Sequence, residues 1–354
     1  MKVQWSKPDF QEEEIEEAVK SLNNYIGANG PNVALFEEQF ASKVGSKYAI
    51  AVNNGTSALL VSLMCLREAI GRGKTVGVPS FTFIASANSS QEIFENVKLL
   101  ECEKDTWNLD PQKIKDNIDL IMAVDVGGLS CDYDELKKTK LPIIGDSAES
   151  LGSLYKGNLV GTQADLHCFS LHRAKIVSCG EGGIITTNSS HYNDLARSFV
   201  NHGYCKNKNN YEYCHDNFGL NFRMSDVHAA IASVQLKKLE QYVTHRNKIA
   251  NIYKDELKDL FEYQNFDNDL FKSNYFFFGI LSNNRDKVID FMLKNDIEVK
   301  TWTAVHKQPI WKSPLNKLPN SDIISDNIIL LPIHNTIEEK EVEYVIEKLR
   351  KAIK

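Results

Sequence analysis

The sequence predicts an α/β protein with a large domain built on a mainly parallel central sheet and a smaller C-terminal α/β domain. Three observations predict it. From Tyr48 to Thr187, short apolar β-rich runs alternate with helical patterns, as expected of strands buried on both faces and joined by crossover helices. The length of 354 residues exceeds what one hydrophobic core usually supports. A long amphipathic pattern then opens a second mixture of strands and helices, which divides the chain into residues 1–235 and 236–354.

In chain order, YAIAV (Tyr48–Val52) reads as a strand and runs into NNGTSALLVSLMCL, a turn followed by a helix. TVGVP (Thr75–Pro79), LIMAV (Leu120–Val124), LPIIGD (Leu141–Asp146) and LHCFSL (Leu166–Leu171) read as further strands, and GGIITT (Gly182–Thr187) closes the series. From Ser225, SDVHAAIASVQLKKLEQYVTHRNKIANIYKDEL reads as one long amphipathic helix, with Leu236, Leu239, Val243, Tyr253 and Leu257 at helical spacings. Beyond it, NYFFFGIL reads as a strand and KEVEYVIEKLRKAI as a helix.

Composition narrows the function. With 42% hydrophobic and 25% charged residues, a net charge of −6 and no dense Lys/Arg cluster, the chain looks globular and unsuited to nucleic acid. Its cysteines form no CxxC pair, so neither a disulfide framework nor a metal site is expected, and reduced thiols in a cytoplasm fit best. No apolar run approaches membrane-spanning length, and the N-terminal MKVQWSKPDFQEEEIEEAV has no apolar signal core.

The stretch FSLHRAKIVSCGEGG (Phe169–Gly183) places Lys175 between an apolar run and a glycine-rich turn. Other strand ends carry residues that suit a common ligand. Gly55, Thr56 and Ser57 follow the first strand and open a helix, where amides and hydroxyls hold a phosphate or simply cap the helix. Asp146 ends an apolar strand, with Glu149 three residues on, and a buried carboxylate needs a partner. Phe81 and Phe83 follow another strand, and Ser170 ends the one before Lys175. A phosphate for Gly55, Thr56 and Ser170, a flat ring for Phe83, a ring nitrogen for Asp146 and an aldehyde for Lys175 together describe pyridoxal 5′-phosphate.

These motifs resemble the DegT/DnrJ/EryC1/StrS sugar aminotransferases, a fold-type I, aspartate-aminotransferase-like group. GANGPNVALFEEQFA, VNNGTSAL, VPSFTFIASANS, GDSAESLGSLYKG, FSLHRAKIVSCGEGG, GLNFRMSDVHAAI and HKQPIW occur in the family's order. The resemblance implies that Lys175 is the Schiff-base lysine, Asp146 the pyridine-nitrogen partner, Glu149 the polar residue near the ring hydroxyl and Phe83 the stacking aromatic. It implies phosphate contacts for Gly55, Thr56 and Ser170. Asn221 would reach the phosphate of a neighbouring subunit, which implies a homodimer with shared sites. Leu171 stands where the family often has an aromatic. A lysine at 175, where some relatives carry histidine, argues against sugar 3-dehydration. GDSAESLGS followed by YKG resembles members that aminate C4 of nucleotide-linked 4-keto-6-deoxyhexoses, with L-glutamate as the expected donor.

Other residues keep two readings. His172 either touches the substrate or packs the loop, and Cys179 reads as a small buried filler. Arg223 suits a carboxylate or diphosphate, or an interface ion pair. His306 and Gln308 border a sugar pocket or pack a loop. Amination at C3 and a catalytically idle scaffold are the rival functions, the second disfavoured by the intact Lys175, Asp146 and Asn221.

Overall fold

The structure is a computed structural model that describes residues 1–114, 117–205, 213–267, 269–312 and 317–353. The chain opens with α1 (Glu12–Asn24) and α2 (Pro31–Val44). Gly30 caps α2 and Pro31 is its first residue, where a missing N–H costs nothing. The buried Asp226 carboxylate accepts from the α2 amides of Asn32 (2.9 Å) and Val33 (3.1 Å), complementing the positive end of the helix.

The strand-rich part follows: β1 (Tyr48–Val52), α3 (Gly55–Ile70), β2 (Thr75–Pro79), α4 (Ile84–Ile93), β3 (Asn96–Leu100), β4 (Leu120–Val124), α5 (Tyr133–Lys137) and β5 (Ile143–Asp146). Short strands β6 (Leu154–Tyr155) and β7 (Asn158–Leu159) precede β8 (Leu166–Ser170), β9 (Gly183–Thr187) and α6 (Ser190–Val200). The 7-stranded sheet has the order β1-β9-β8-β5-β4-β2-β3. All neighbours are parallel except those of β9, which runs against both β1 and β8. The expected strands are present. The sequence reading missed β3, whose first residues are partly exposed and include Lys98.

After a hairpin of β10 (Tyr204–Cys205) and β11 (Cys214–His215), the expected single helix is two: α7 (Asp226–Lys237) and α8 (Leu239–Leu257). The break is at Lys238, whose N–H donates to Gln235 and Leu236 instead of continuing the ladder. Its ammonium bonds the buried Glu14 carboxylate at 2.5 Å, so a tertiary contact interrupts an otherwise helical pattern. The remainder comprises β12 (Glu262–Tyr263), β13 (Phe271–Lys272), β14 (Phe278–Leu281), α9 (Arg285–Lys294), α10 (Pro319–Asn327), β15 (Ile328–Leu331) and α11 (Glu339–Ala352). Strands β12, β14 and β15 form an antiparallel sheet. A separate apolar core joins α8, β14, α9, β15 and α11 through Ile249, Tyr253, Ile280, Val288, Leu331 and Leu349. No helix among the described residues is long and apolar enough to cross a membrane.

Beneath the carboxyl end of β5 lies a buried polar chain. The Nε2 of His167 accepts from the amides of Gln163 (3.0 Å) and Ala164 (2.9 Å), so its proton is on Nδ1, facing Ser147 Oγ at 2.8 Å. Ser147 in turn donates to Asp125 (2.8 Å), which also accepts from Ser150 (2.7 Å). Burial, aided by the charge of Lys137, lowers the His167 pKa to about 3. The unfolded chain therefore takes up a proton near pH 6.5 that the folded chain refuses, so stability falls as pH drops. Between pH 7 and 6 this one residue should remove about 0.7 kcal/mol. Asp125, raised to about 6 by burial, acts in the opposite direction from the lower end of that window downward, and offsets part of this loss as it approaches pH 6. Replacing His167 with Gln should flatten the decline measured by thermal unfolding between those pH values; an unchanged slope would contradict the neutral-histidine assignment.

Candidate active site

Three strand ends meet at Gly183. It pairs with Val52 at the end of β1 and with Ser170 at the end of β8. A Cβ there would stand 2.5 Å from the Asn54 carbonyl oxygen, so the turn after β1 lies directly on β9. That turn delivers the start of α3 onto Ser170, and a Cβ on Gly55 would come within 2.8 Å of the Ser170 Cβ. The cap of α3 is Asn54, whose Oδ1 accepts from the Ser57 amide at 2.8 Å. Thr56 is thus not needed as a cap, and Ser57 is buried. The amides of Gly55 and Thr56 donate to no described residue. With the hydroxyls of Thr56 and Ser170 they form a donor set suited to an anion at a helix N-terminus.

Asp146, buried at the end of β5, accepts from Ser86 Oγ at 2.6 Å and from the Ala148 amide at 3.3 Å. Ser86 lies in the first turn of α4, whose N-cap is Phe83. The Phe83 ring is 63% exposed and meets Trp302 edge-on at 6.1 Å, whereas Phe81 is fully buried. An open aromatic face therefore stands one turn from the buried carboxylate.

Lys175 lies in the loop after β8. Its Nζ is 3.6 Å from Glu149 Oε1 and 4.1 Å from the centre of the Phe276 ring. Glu149 is itself buried and accepts from the Gly127 amide at 2.9 Å. Glu149, Ser170, Lys175, Asn274 and Phe276 line one small cavity. Burial raises the pKa of both acids. For Asp146 the bonds from Ser86 and Ala148 and the Lys175 charge oppose the rise. For Glu149 the Lys175 charge opposes it most, while Asp146 adds to it.

The sequence reading missed the residues that hold this constellation. Asn274 donates to the carbonyls of Glu149 and Leu151, both at 2.8 Å. Arg246 of α8, almost fully buried, donates to the carbonyls of Tyr275 (3.0 Å), Phe276 (3.2 Å) and Ile333 (3.2 Å) and to Asn335 Oδ1 (2.8 Å). Asn335 passes the restraint on by donating to the Ile176 carbonyl at 2.9 Å. One guanidinium thus anchors both the ring under Lys175 and the loop that carries it. A lone arginine on the apolar face of the α8 pattern was the available signal, because a buried cation needs several acceptors.

The remaining expected residues stand apart. Asn221 Oδ1 accepts from the Arg223 amide at 3.4 Å, and its backbone bridges Asn201. It forms no hydrogen bond to Gly55, Ser170 or Lys175 of the same chain. The backbone of Arg223 bridges Val52, and its side chain donates to Asn201 Oδ1 at 2.6 Å. The His172 ring accepts from the Ala174 amide at 3.3 Å, packing the loop. Burial lowers its pKa, with Glu181 opposing. Cys179 is buried, and burial pushes its thiol pKa up. His306 has both ring nitrogens engaged, by Ser80 Oγ at 2.6 Å and Asp322 at 3.1 Å. The amide of Gln308 donates to the Val305 carbonyl at 2.9 Å.

The residues present fit pyridoxal 5′-phosphate. The Gly55–Ser170 approach leaves free amides for a phosphate, Asp146 offers a buried acceptor, and the Lys175 amine is poised between a carboxylate and a ring face. Known proteins agree. The chain is 30% identical to a GDP-perosamine synthase of Escherichia coli O157:H7 over 351 residues, 96% of this chain and 94% of that one. It is 28% identical to a UDP-4-amino-4,6-dideoxy-N-acetyl-β-L-altrosamine transaminase of Campylobacter jejuni, over 98% of this chain and 96% of that one. Its fold superposes with a TM-score of 0.88 on the crystal structure of a DegT DnrJ EryC1 StrS aminotransferase from Brucella abortus, 27% identical, covering 96% and 95% of the two chains. The family model of the DegT/DnrJ/EryC1/StrS aminotransferases matches residues 8–350. The chain belongs to that family and is an aminotransferase that uses pyridoxal 5′-phosphate.

Proposed function

We propose that the enzyme moves an amino group from L-glutamate to C4 of a nucleotide-linked 4-keto-6-deoxyhexose, giving a 4-amino-4,6-dideoxy sugar. The observation that carries the reading is Lys175, an amine shielded to 16% exposure, held against Phe276 and beside the buried carboxylate of Glu149. Bound pyridoxal 5′-phosphate supplies an aldehyde for amines and a ring that accepts electrons when a C–H bond breaks.

The chain's own residues do the rest. Lys175 would hold the cofactor and, with its amine free, would hold and move a proton at Nζ. Asp146 would accept a hydrogen bond from the ring nitrogen and keep it charged. Gly55, Thr56, Ser57 and Ser170 would hold the phosphate, Phe83 would cover one ring face, and Glu149 would orient the Lys175 amine near the ring hydroxyl. His172, Arg223, His306 and Gln308 border the sugar nucleotide, with His306 acting through the loop it pins to Ser80.

C4 is supported by the Campylobacter relative, named for a UDP-linked 4-amino-4,6-dideoxy sugar, and by the likeness of GDSAESLGS and YKG to C4-aminating members. The test is a panel of nucleotide-linked 3-keto and 4-keto sugars with glutamate, products being located by NMR. We expect nitrogen at C4. Nitrogen at C3 with 4-keto sugars untouched would move the enzyme to the other branch. An absorption spectrum unmoved by glutamate would mark an idle scaffold.

The same reading makes the enzyme a homodimer with shared sites. Ile15, Val19 and Leu22 are about half exposed or more and lie along one stripe of α1, with Tyr25 and Ile26 continuing it. A contiguous apolar face of this kind suits a subunit contact. Phe218 and Leu220, exposed beside Asn221, suit the same role.

A further inference from the structure

Apart from the lysine site, the described residues place two thiols and a carboxylate together in the β10–β11 hairpin. Cys205 and Cys214 are register partners across the hairpin. Asp216, two residues on, has Oδ1 3.5 Å from Cys214 Sγ. One ligand atom from each of the three lies within 4.8 Å of the others. We infer that Cys205, Cys214 and Asp216 form a site for a thiophilic divalent cation of the zinc class.

The set has the chemistry such a cation requires. Zinc takes thiolate sulfur at about 2.3 Å and carboxylate oxygen at about 2.0–2.2 Å in a tetrahedron, so its ligands sit about 3–4 Å from one another. Two sulfurs and one oxygen leave a fourth position for water. Softness favours zinc over magnesium or calcium, which prefer all-oxygen shells. The scaffold is also fixed in advance. The Asp216 amide donates to the Gly203 carbonyl at 3.0 Å, and the Gly203 amide to the Ser198 carbonyl at 2.8 Å. Gly203 has φ +77°, and a Cβ there would run into the Asn217 carbonyl at 1.7 Å. The two arms therefore cross so tightly that Cys205 and Asp216 have little freedom to part. No described Lys or Arg pairs with Asp216.

The other five cysteines, Cys65, Cys102, Cys131, Cys168 and Cys179, are buried, so thiol-dependent metal binding reports on this pair. A bound cation would staple the base of the hairpin immediately before the Gly219–Arg223 segment, whose backbone is held to α6 by the Leu220–Phe199 and Phe222–Val200 bonds. The spacing of the two cysteines matches no short zinc motif, so only the hairpin fold brings them together.

The test uses the untagged full-length holoenzyme, reduced and treated with chelator. Cobalt(II) added to it should produce a thiolate-to-metal charge-transfer band in the difference spectrum, saturating at one cobalt per chain, and zinc should abolish the band. Binding releases the thiol protons, so apparent affinity should rise with pH. Cys205→Ser and Cys214→Ser should each lose the band, and Asp216→Asn should keep it with weaker affinity. Both cysteine variants should keep the glutamate-induced spectral change, which shows that they are folded. No band, a band that survives in the Cys205→Ser, Cys214→Ser double variant, or a Cys205–Cys214 disulfide persisting under reductant would each overturn the assignment.

Discussion

Replacing Asp146 with asparagine should slow transamination by about two to three orders of magnitude while cofactor affinity falls far less. The side chain is buried at the end of β5 and bonded by Ser86 and the Ala148 amide. Asparagine has the same shape and can keep both partners, its oxygen toward Ala148 and its amide toward the Ser86 hydroxyl. Only the charge is lost. Burial already pushes the Asp146 pKa up, so its ionised form depends on a cationic partner. The proposed partner is the ring nitrogen, whose protonation lets the ring draw electrons. Without the carboxylate the ring nitrogen gives up its proton and leaves no unpaired buried charge, so the loss falls on the barrier, where two to three orders in rate correspond to about 3–4 kcal/mol at ~1.4 kcal/mol per tenfold. The phosphate contacts proposed for Gly55, Thr56 and Ser170 are untouched, so retention of the cofactor should suffer little. Rapid-mixing measurement of the glutamate half-reaction, beside a cofactor titration, separates the two effects. Near-normal turnover would remove Asp146 from its assigned role.

The same site shows why parts of it were legible in the sequence and parts were not. Asp146, Ser170 and the Asn54–Ser57 turn terminate unbroken apolar runs, and a polar group placed there has a parallel sheet behind it and a crevice before it. The meeting of the β1 turn and Ser170 at Gly183 could not be read, because it depends on β9 running against its neighbours. Phe276 sits in the aromatic run NYFFFG, where nothing in the pattern tells which ring turns toward Lys175; that choice is made by Arg246 and Asn274 on distant segments. The break at Lys238 was hidden for a like reason. Local spacing continues across it, and the contact with Glu14 that stops the helix comes from more than two hundred residues away. What periodicity and strand-end chemistry specify was readable, while what long-range hydrogen bonds specify was not.

Mixing two inactive variants should restore activity, and this outcome bears on where Asn221 works. Within one chain its side chain makes no bond to the Lys175 site, yet it sits exposed beside Phe218 and Leu220 on a surface suited to a subunit contact. If it completes the phosphate cup of the partner, each site takes Lys175 from one chain and Asn221 from the other. Lys175→Ala should abolish transamination, because among the described residues no other amine lies against Glu149. Asn221→Ala should weaken cofactor retention by about 1.5–3 kcal/mol, the worth of a charge-assisted hydrogen bond. In a mixed dimer one site collects both defects and the other has none. Random exchange of equal amounts makes about half the dimers mixed, so about a quarter of all sites should be intact in a two-fold assembly. At cofactor concentrations low enough to silence Asn221→Ala alone, activity should therefore return toward a quarter of the wild-type level. An Asn221 that served its own chain would leave a defect in every site, and mixing would recover nothing. Native mass spectrometry that finds mixed dimers, with activity no higher than in the separate variants, would rule the shared site out.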